Sequence, residues 1–125
     1  MKAIIKEGST LSAKSVAVPQ LRNVGDVLVQ VILAGLCRTD LYAAEGKLKT
    51  PDSLILGHEF SGSVTQSYAS DFYPGDRVCV NPLLSCGFCN HCQRGCHGAC
   101  LEAEFIGIDR DGCFAEYIVG PATSL

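Results

Sequence analysis

The sequence Cys86-Gly-Phe-Cys89-Asn-His-Cys92-Gln-Arg-Gly-Cys96-His-Gly-Ala-Cys100 places five thiols in one short segment, which is too dense for ordinary core packing. Two-residue gaps separate the first three cysteines, so the chain can curl and point three sulfurs at one place. Cys100 follows after a longer return and can complete a tetrahedron of soft ligands, the geometry that a structural zinc site requires. We therefore predict that residues 86–100 form a zinc-binding cysteine loop, with the ligands Cys86, Cys89, Cys92 and Cys100.

Other cysteines and the histidines of this loop leave alternatives open. Cys96 is left over, so it either competes as a ligand or packs, and an oxidised disulfide knot is the alternative to zinc. We expect His91 and His97 to face solvent, with zinc ligation as the alternative. Cys79 alternates with two valines in a predicted strand, and we expect it in the core.

Length and composition indicate one compact domain. The chain has 125 residues, of which 47% are hydrophobic and 18% charged, as in globular proteins. A formal net charge of -3 argues against a nucleic-acid surface, which is normally basic. No apolar run reaches the length of a membrane span, and the first residues lack the pattern of a signal peptide. Eight cysteines without a secretory signal indicate a reducing compartment, so we expect a cytoplasmic protein.

Short β-strands separated by glycine and proline turns dominate the predicted structure. The strongest strand covers residues 26–33, which are rich in β-branched side chains. Further strands are predicted at residues 1–6 (an edge strand), 13–19, 60–66 (broken by Gly62), 77–80 and 113–119. Residues 51–56 are predicted as a loop, and residues 37–45 as a short helix that stops at Gly46. This pattern predicts a mainly β fold, a barrel or sandwich with one or two small helices.

A second group of metal-binding side chains lies outside the cysteine loop. Cys37 follows the strongest strand and His58 lies in a glycine-flanked loop, so both can converge on one cation and leave positions open for water or substrate. Glu59 can swing in as a further ligand, and Asp40 is placed to orient the histidine through its other ring nitrogen. The alternative is ordinary packing, because an isolated cysteine is usually a small buried hydrophobe.

Several motifs together resemble the zinc-dependent medium-chain alcohol dehydrogenases. The cysteine loop is similar to the structural-zinc segment of that family, including the glycine before its last ligand. Four other motifs match in the same order: Gly35-Leu-Cys-Arg-Thr-Asp40, Gly57-His-Glu-Phe-Ser-Gly-Ser-Val64, Gly75-Asp-Arg-Val78 and Asp111-Gly-Cys-Phe-Ala-Glu-Tyr117. The resemblance covers nearly the whole chain. It implies that residues 1–125 form a GroES-like β-barrel, the catalytic domain of such an enzyme.

The resemblance also implies roles for individual residues. Cys37 and His58 would bind a catalytic zinc, with Glu59 as a nearby exchangeable ligand. Thr39 would pass the proton of a small-molecule alcohol toward solvent, and Arg38 would contact the pyrophosphate of the cofactor. The zinc would lower the pKa of the bound alcohol so that an alkoxide forms and hydride leaves for the nicotinamide of NAD(P). Whether the substrate is an alcohol, a polyol or an amino-alcohol stays open.

The chain departs from the family pattern in three respects. No Gly-x-Gly-x-x-Gly fingerprint or βαβ alternation occurs, so the nucleotide-binding Rossmann domain is absent from residues 1–125. In the family, one further ligand of the catalytic zinc lies beyond the position of Leu125. Cys113 stands where a second glycine is common, and we assign it no role. We therefore expect this chain alone to be inactive and to need NAD(P) on a separate domain.

Three further hypotheses concern binding partners and functions other than catalysis. A surface left uncovered by a Rossmann domain would be partly apolar, so we expect self-association or a Rossmann-domain partner chain. The alternative to an enzyme is a non-enzymatic, zinc-stabilised interaction module that needs only the cysteine loop. A zinc-ribbon-like nucleic-acid binder is disfavoured by the acidic balance of the chain.

Overall fold

The computed structural model describes residues 1–125 and has a mainly β fold with short helices, as the sequence predicts. The strands are β1 (Lys2–Glu7), β2 (Thr10–Ser15), β3 (Asp26–Gly35), β4 (Ser53–Ile55), β5 (Glu59–Ser67), β6 (Arg77–Cys79), β7 (Leu83–Leu84), β8 (Glu104–Phe105) and β9 (Tyr117–Pro121). The helices are α1 (Arg38–Ala44) and α2 (Asn90–Gln93), with single 3-10 turns at His97–Ala99 and Ala122–Ser124. None of these helices is long and apolar enough to cross a membrane.

A four-stranded antiparallel sheet in the order β6-β5-β3-β9 carries the main core. β3 is its longest strand, and the alternating Val27 and Val29 point inward and are fully buried. They pack with buried apolar residues from β5, β9 and the segment before β9, namely Phe60, Val64, Ile106, Cys113 and Ile118. The predicted strand at residues 26–33 is therefore the central element of the fold.

A second sheet has three strands in the order β2-β1-β4, which corrects two predictions. The first strand was predicted at a sheet edge but lies in the middle, because β4 pairs with its second side. Residues 51–56 were predicted as a loop, yet Ser53–Ile55 forms β4. Ala3, Ile5 and Ile55 make a small apolar cluster on this sheet. Sequence patterns miss β4 because three residues are too few to show alternation.

Two predicted strands are shifted along the chain. The strand expected at residues 13–19 is β2 at Thr10–Ser15, because Gly8 turns the chain at a φ of 57° and pairing with β1 resumes at once. The strand expected at residues 113–119 is β9 at Tyr117–Pro121. Its predicted beginning instead bonds to residues 55–57, with Phe114 N–H donating to the Leu56 carbonyl at 2.9 Å.

Two side-chain predictions for the sheet are also corrected. Cys79 was expected in the core but is exposed, because its side chain lies on the outer face of β6, opposite to that of Val78, which packs against the core. Gly62 does not break β5, which runs through it, while β3 absorbs a register shift opposite this position. A Cβ at Gly62 would lie 2.3 Å from the carbonyl oxygen of Gln30, so only glycine permits this close strand approach.

The cysteine loop projects from a two-stranded hairpin. β7 ends just before Cys86, β8 begins just after the loop, and the two strands pair with each other. α2 and the 3-10 turn at His97–Ala99 shape the loop between them. The hairpin thus places the loop beside the main sheet, where Leu84 contacts the core.

Candidate metal centres

Four thiols of the cysteine loop form a compact group, which we call the cysteine cluster (Cys86, Cys89, Cys92 and Cys100). Their sulfur atoms all lie within 4.8 Å of one another, and Cys86 Sγ is 3.9 Å from Cys92 Sγ. Tetrahedral zinc with bonds of about 2.3 Å separates its sulfur ligands by about 3.8 Å. All eight cysteines are free thiols. The donor set and spacing of the cluster therefore fit a zinc ion with no open position.

Backbone amides of the loop donate to the sulfur atoms of the cluster. Cys86 N–H points at Cys100 Sγ at 3.3 Å, and Cys89 N–H points at Cys86 Sγ at 3.4 Å. The amide of Cys92 lowers the pKa of the Cys89 thiol to about 6, and the amide of Cys86 lowers the pKa of Cys100. Burial raises the pKa of Cys92 to about 12. The loop backbone thus already favours negative charge on two of the four sulfurs.

The remaining donors of the loop lie outside this cluster. Cys96 is exposed, with its sulfur 4.0 Å from the carbonyl oxygen of Arg94. His97 is exposed, and its Nδ1 is 3.1 Å from Ser85 Oγ, whereas His91 is half-buried. The structure therefore groups neither histidine nor the fifth thiol with the four sulfurs.

A second group, the histidine site (Cys37, His58 and Glu59), is assembled by pairing of β3 with β5. Gly35 at the end of β3 lies opposite Glu59 at the start of β5. Because the strands are antiparallel, the residues just beyond these ends, Cys37 and His58, meet at the same edge of the sheet. One ligand atom from each of the three side chains lies within 4.8 Å of the others. The register of two strands thus brings together residues that are distant in sequence.

Asp40 lies behind the histidine and joins it to the start of α1. Its carboxylate is only 2% exposed; one oxygen accepts the N–H of Cys37 at 2.9 Å, and Oδ1 lies 3.1 Å from Nδ1 of His58. His58 is 4% exposed, and its Nε2 is 4.0 Å from a carboxylate oxygen of Glu59. With Nδ1 against the carboxylate, Nε2 is the nitrogen that faces the other two ligands.

The contact between Asp40 and His58 shows whether this site is suited to a metal ion. Asp40 Oδ1 and His58 Nδ1 have no hydrogen-bond partner of good geometry, so their 3.1 Å contact is the only compensation for their burial. A histidine that binds a metal through one nitrogen and faces a carboxylate with the other has this arrangement. Three protein ligands with one exposed side, that of Glu59, fit a zinc site open to substrate.

Three glycines hold the backbone before His58 in a tight packing arrangement. Gly57 has a φ of 95°, and a Cβ there would lie 2.6 Å from the Phe114 ring. Cβ atoms at Gly107 and Gly112 would lie 2.4 and 2.0 Å from the Gly57 carbonyl oxygen. The sequence does not predict this packing, because the glycines involved come from separate segments and carry no pattern that indicates that they meet. This close packing fixes the backbone position of His58, the residue that follows Gly57.

Cys113, which had no predicted role, packs beside this glycine cluster. It is buried, its N–H donates to the Gly57 carbonyl at 2.9 Å, and its sulfur lies 3.6 Å from the carbonyl oxygen of Glu59. Burial and the nearby charge of Asp40 raise the pKa of the Cys113 thiol to about 12. It is therefore a neutral core thiol and not a member of the histidine site.

Two other predicted site residues lie at the start of α1. The Thr39 hydroxyl is 3.6 Å from Cys37 Sγ, so it borders the histidine site. Arg38 is exposed and forms no ion pair within the chain, which leaves its guanidinium free. Sequence reasoning missed one contact, an edge-to-face packing of the Phe105 ring on the ring of His58.

Comparisons with known proteins agree with this fold. A sequence profile of the alcohol dehydrogenase GroES-like domain matches residues 23–125. L-Threonine 3-dehydrogenase of Streptomyces avermitilis is 38% identical over the whole chain, which covers 39% of that protein. Galactitol-1-phosphate dehydrogenase from Escherichia coli superposes with a TM-score of 0.94 at 33% identity, over 99% of this chain and 37% of that one. The cobalt- and zinc-bound thermostable alcohol dehydrogenase from Pyrobaculum aerophilum gives 0.89 at 32% identity, over 99% and 40%.

The similarity extends over nearly the whole chain, whereas the chain spans only 37% to 40% of the length of these relatives. The GroES-like fold that the motifs predict is thereby confirmed. The chain belongs to the zinc-dependent medium-chain alcohol dehydrogenase family, of which it carries the N-terminal GroES-like domain.

Proposed function

We propose that this chain is the catalytic domain of a zinc-dependent dehydrogenase that oxidises a small alcohol or polyol and passes hydride to NAD(P) on another domain. The observation that carries the proposal is the convergence of Cys37, His58 and Glu59, with the carboxylate of Asp40 behind the histidine. The names of the relatives, an L-threonine and a galactitol-1-phosphate dehydrogenase, support this substrate class, because both compounds carry alcohol groups.

The residues of the histidine site would hold the metal. Cys37 Sγ would be the soft donor, His58 Nε2 a borderline donor, and the Glu59 carboxylate an exchangeable hard donor. Asp40 keeps the proton on Nδ1 and so leaves the Nε2 lone pair free for the metal. When bound, zinc supplies Lewis-acid chemistry that favours loss of the alcohol proton near neutral pH.

Thr39 and Arg38 would serve the proton and the cofactor. The Thr39 hydroxyl, 3.6 Å from Cys37 Sγ, is close enough to the site to accept the proton of an alcohol and pass it toward solvent. The exposed guanidinium of Arg38 has no partner in the chain and suits a bidentate contact with a pyrophosphate. Both lie in the first turn of α1, directly after Cys37.

The cysteine cluster would hold a structural zinc ion. Its four sulfurs leave no position for substrate, and its loop has no packed core of its own apart from buried Cys92. Zinc binding would therefore replace the missing hydrophobic stabilisation of the loop.

The surface beside the histidine site supports a partner domain or chain. Ile32, Leu33 and Leu36 are exposed apolar side chains at the end of β3, next to Cys37. Such a surface usually contacts another protein surface. We propose that a Rossmann domain or a second polypeptide covers this surface, and that residues 1–125 by themselves do not turn over substrate. The same surface would suit the alternative of a non-enzymatic interaction module.

Metal counting and activity together test the proposal. Native mass spectrometry of the protein from its natural source should show two zinc ions per chain, and the His58→Ala variant should show one. The source protein should reduce NAD or NADP with a panel of alcohols, amino-alcohols and sugar alcohols, and Cys37→Ala should abolish this. One zinc ion in the wild type together with no reduction of NAD or NADP would favour the interaction module instead. Full activity of Cys37→Ala would contradict the role proposed for Cys37.

A further inference from the structure

The ring of Phe105 contacts the ring of His58 and thereby connects the cysteine loop with the histidine site. The ring centroids are 5.3 Å apart and the ring planes meet at 62°, an edge-to-face arrangement. Phe105 lies on β8, the strand into which the cysteine loop returns. The proposed chemistry assigns no task to this phenylalanine.

Polar contacts alone do not fix the orientation of the His58 ring. Nδ1 is 3.1 Å from Asp40 Oδ1, yet these atoms do not meet in good hydrogen-bond geometry and have no other partner. Nε2 is 4.0 Å from Glu59 Oε1, which is beyond hydrogen-bond distance. Because the ring is buried, its rotation is restricted by the side chains that pack on it, and Phe105 is the aromatic one among them.

The backbone of Phe105 is held on both sides. Its N–H donates to the Asp109 carboxylate at 2.7 Å, and its carbonyl accepts the N–H groups of Ile108 and Asp109 at 3.1 and 2.9 Å. Across the hairpin, Phe105 pairs with Leu83 of β7. Its position relative to the main sheet therefore depends on the turn that follows, on the pairing of β7 with β8, and on the next residue, Ile106, which is buried in the main core.

The β7–β8 hairpin is short and encloses a long loop. Each strand has two residues, and residues 85–103 lie between them. A two-stranded hairpin is marginal by itself, and closing a long loop costs conformational entropy. At the base of the loop, Cys86 N–H donates to Cys100 Sγ at 3.3 Å. A metal ion bound by the cysteine cluster would tie the two ends together and stabilise the pairing.

We propose that Phe105 is a positioning residue that transmits closure of the cysteine loop to the imidazole of His58, so that metal binding at the cysteine cluster prepares the histidine site. This inference rests on the metal-binding roles given under the proposed function. Metal binding at the cysteine cluster would then raise the metal affinity of the histidine site, in addition to stabilising the cysteine loop.

The first test is a cobalt titration of the metal-free 125-residue chain after addition of one equivalent of zinc, which the four thiols should take up first. Co²⁺ at the histidine site is followed by its visible absorption against a competing chelator. Phe105→Ala should weaken this affinity by roughly 10-fold or more, the range for residues that orient metal ligands. Phe88→Ala is the matched control, because Phe88 lies in the same loop and is 66% exposed, and it should change nothing. Equal affinities of wild type and Phe105→Ala would overturn the proposal.

A second measurement reads the position of His58 without a second metal. In NMR spectra of the wild-type chain, the His58 ring protons should carry a ring-current shift and should sharpen when one equivalent of zinc is added. In Phe105→Leu, which keeps the apolar volume and should fold even if Phe105→Ala does not, this response to zinc should be lost. The proposal would be overturned if the His58 signals of the wild type did not change when zinc is added.

The two measurements separate this inference from the proposed function. If His58 responds to zinc at the cysteine cluster but Co²⁺ never binds at the histidine site of the wild type, the positioning by Phe105 stands and the metal role of Cys37 and His58 fails. If Co²⁺ binds there with the same affinity in the Phe105 variants, the proposed function stands and the coupling fails.

Discussion

At the scale of single residues, the histidine site depends on groups that do not themselves bind metal. Asp40 accepts the N–H of Cys37 at the start of α1 and faces Nδ1 of His58, so one buried carboxylate contacts two proposed ligands. Gly57, Gly107 and Gly112 let three backbone segments approach within distances that any Cβ would prevent. The geometry of the site is therefore a property of its supporting residues as much as of its ligands.

Asp40→Asn should weaken zinc binding at the histidine site by roughly 10- to 100-fold. The amide keeps an oxygen for the N–H of Cys37, but its NH₂ group can donate to Nδ1 of His58 and drive the ring proton to Nε2, which then cannot bind metal. Chelator competition with zinc measures the effect. Asp52→Asn is the control, because Asp52 is exposed and its side chain makes no hydrogen bond. Unchanged zinc affinity of Asp40→Asn would contradict the orienting role of this carboxylate.

Gly112→Ala should lower the free energy of unfolding by about 2 kcal/mol. Its Cβ would lie 2.0 Å from the carbonyl oxygen of Gly57, and backbone atoms cannot move aside as a side-chain end can. Urea denaturation of the zinc-loaded chain measures the change. Gly98→Ala is the matched control, because nothing lies within 4 Å of its Cβ position, and it should be nearly neutral. Equal stability of the two variants would mean that the segment containing Gly112 can shift at little cost.

At the scale of elements, β3 and the cysteine loop are stabilised in different ways. β3 pairs with a strand on each side and buries its alternate valines in the main core. The cysteine loop has two very short strands at its base and four converging sulfurs in place of a core. The first element is held by apolar packing and backbone pairing, and we propose that the second is held by metal.

Val29→Ala should reduce stability by about 2 kcal/mol, because Val29 is fully buried in β3 and the substitution leaves a cavity. Thermal and urea unfolding both report this change. Val24→Ala removes the same atoms from a side chain that is 96% exposed, so it should stay within about 0.5 kcal/mol of the wild type. A similar loss in both variants would argue against β3 as the centre of the core.

Removal of zinc by a chelator should open the cysteine loop before the main sheet unfolds. Amide hydrogen exchange should rise first in residues 86–100, while β3 and β5 stay protected, because only the loop lacks a packed core. Cys89→Ser should reproduce this pattern without a chelator, whereas Cys96→Ser should behave like the wild type, since its sulfur lies outside the cluster. Simultaneous exchange of loop and sheet would show that the two form one cooperative unit.

At the scale of the whole molecule, the apolar surface beside the histidine site is the feature that the chain does not bury. Ile32, Leu33 and Leu36 lie exposed at the end of β3. A shallow groove is formed by Ile32 and Leu33 together with two residues of β6, Val78 and Cys79. Relatives of the chain are more than twice its length, so in them further residues are available to cover the corresponding surface. We propose that a second domain or chain covers it here.

The 125-residue chain should self-associate with increasing concentration, and Leu33→Ser should shift the equilibrium toward the monomer. Sedimentation over a wide concentration range measures this. Leu101→Ser is the control, because Leu101 is also largely exposed but does not line the groove formed with β6. A wild-type chain that stays monomeric throughout would contradict self-association through this surface.

Much of the candidate site could be predicted because its residues are grouped along the chain. The four sulfurs of the cysteine cluster lie close in sequence, so their spacing indicated that they could meet. Cys37, Thr39 and Asp40 also lie close in sequence, but for them the resemblance to the family was needed beside the spacing. Cys79 shows the opposite case. Alternation predicted a buried side chain, but only the pairing of β6 with β5 determines which face of the strand meets the core.

The mainly β fold, the family and the candidate ligands could be predicted from the amino-acid sequence, because they depend on local spacing and on motifs with few physical interpretations. The folded chain was needed to show that β1 is a central strand, that Gly107 and Gly112 pack on Gly57, and that Phe105 packs on His58. Each of these contacts joins residues far apart in the chain. Their meeting depends on strand register and on the shape of the closed core, which no local pattern encodes.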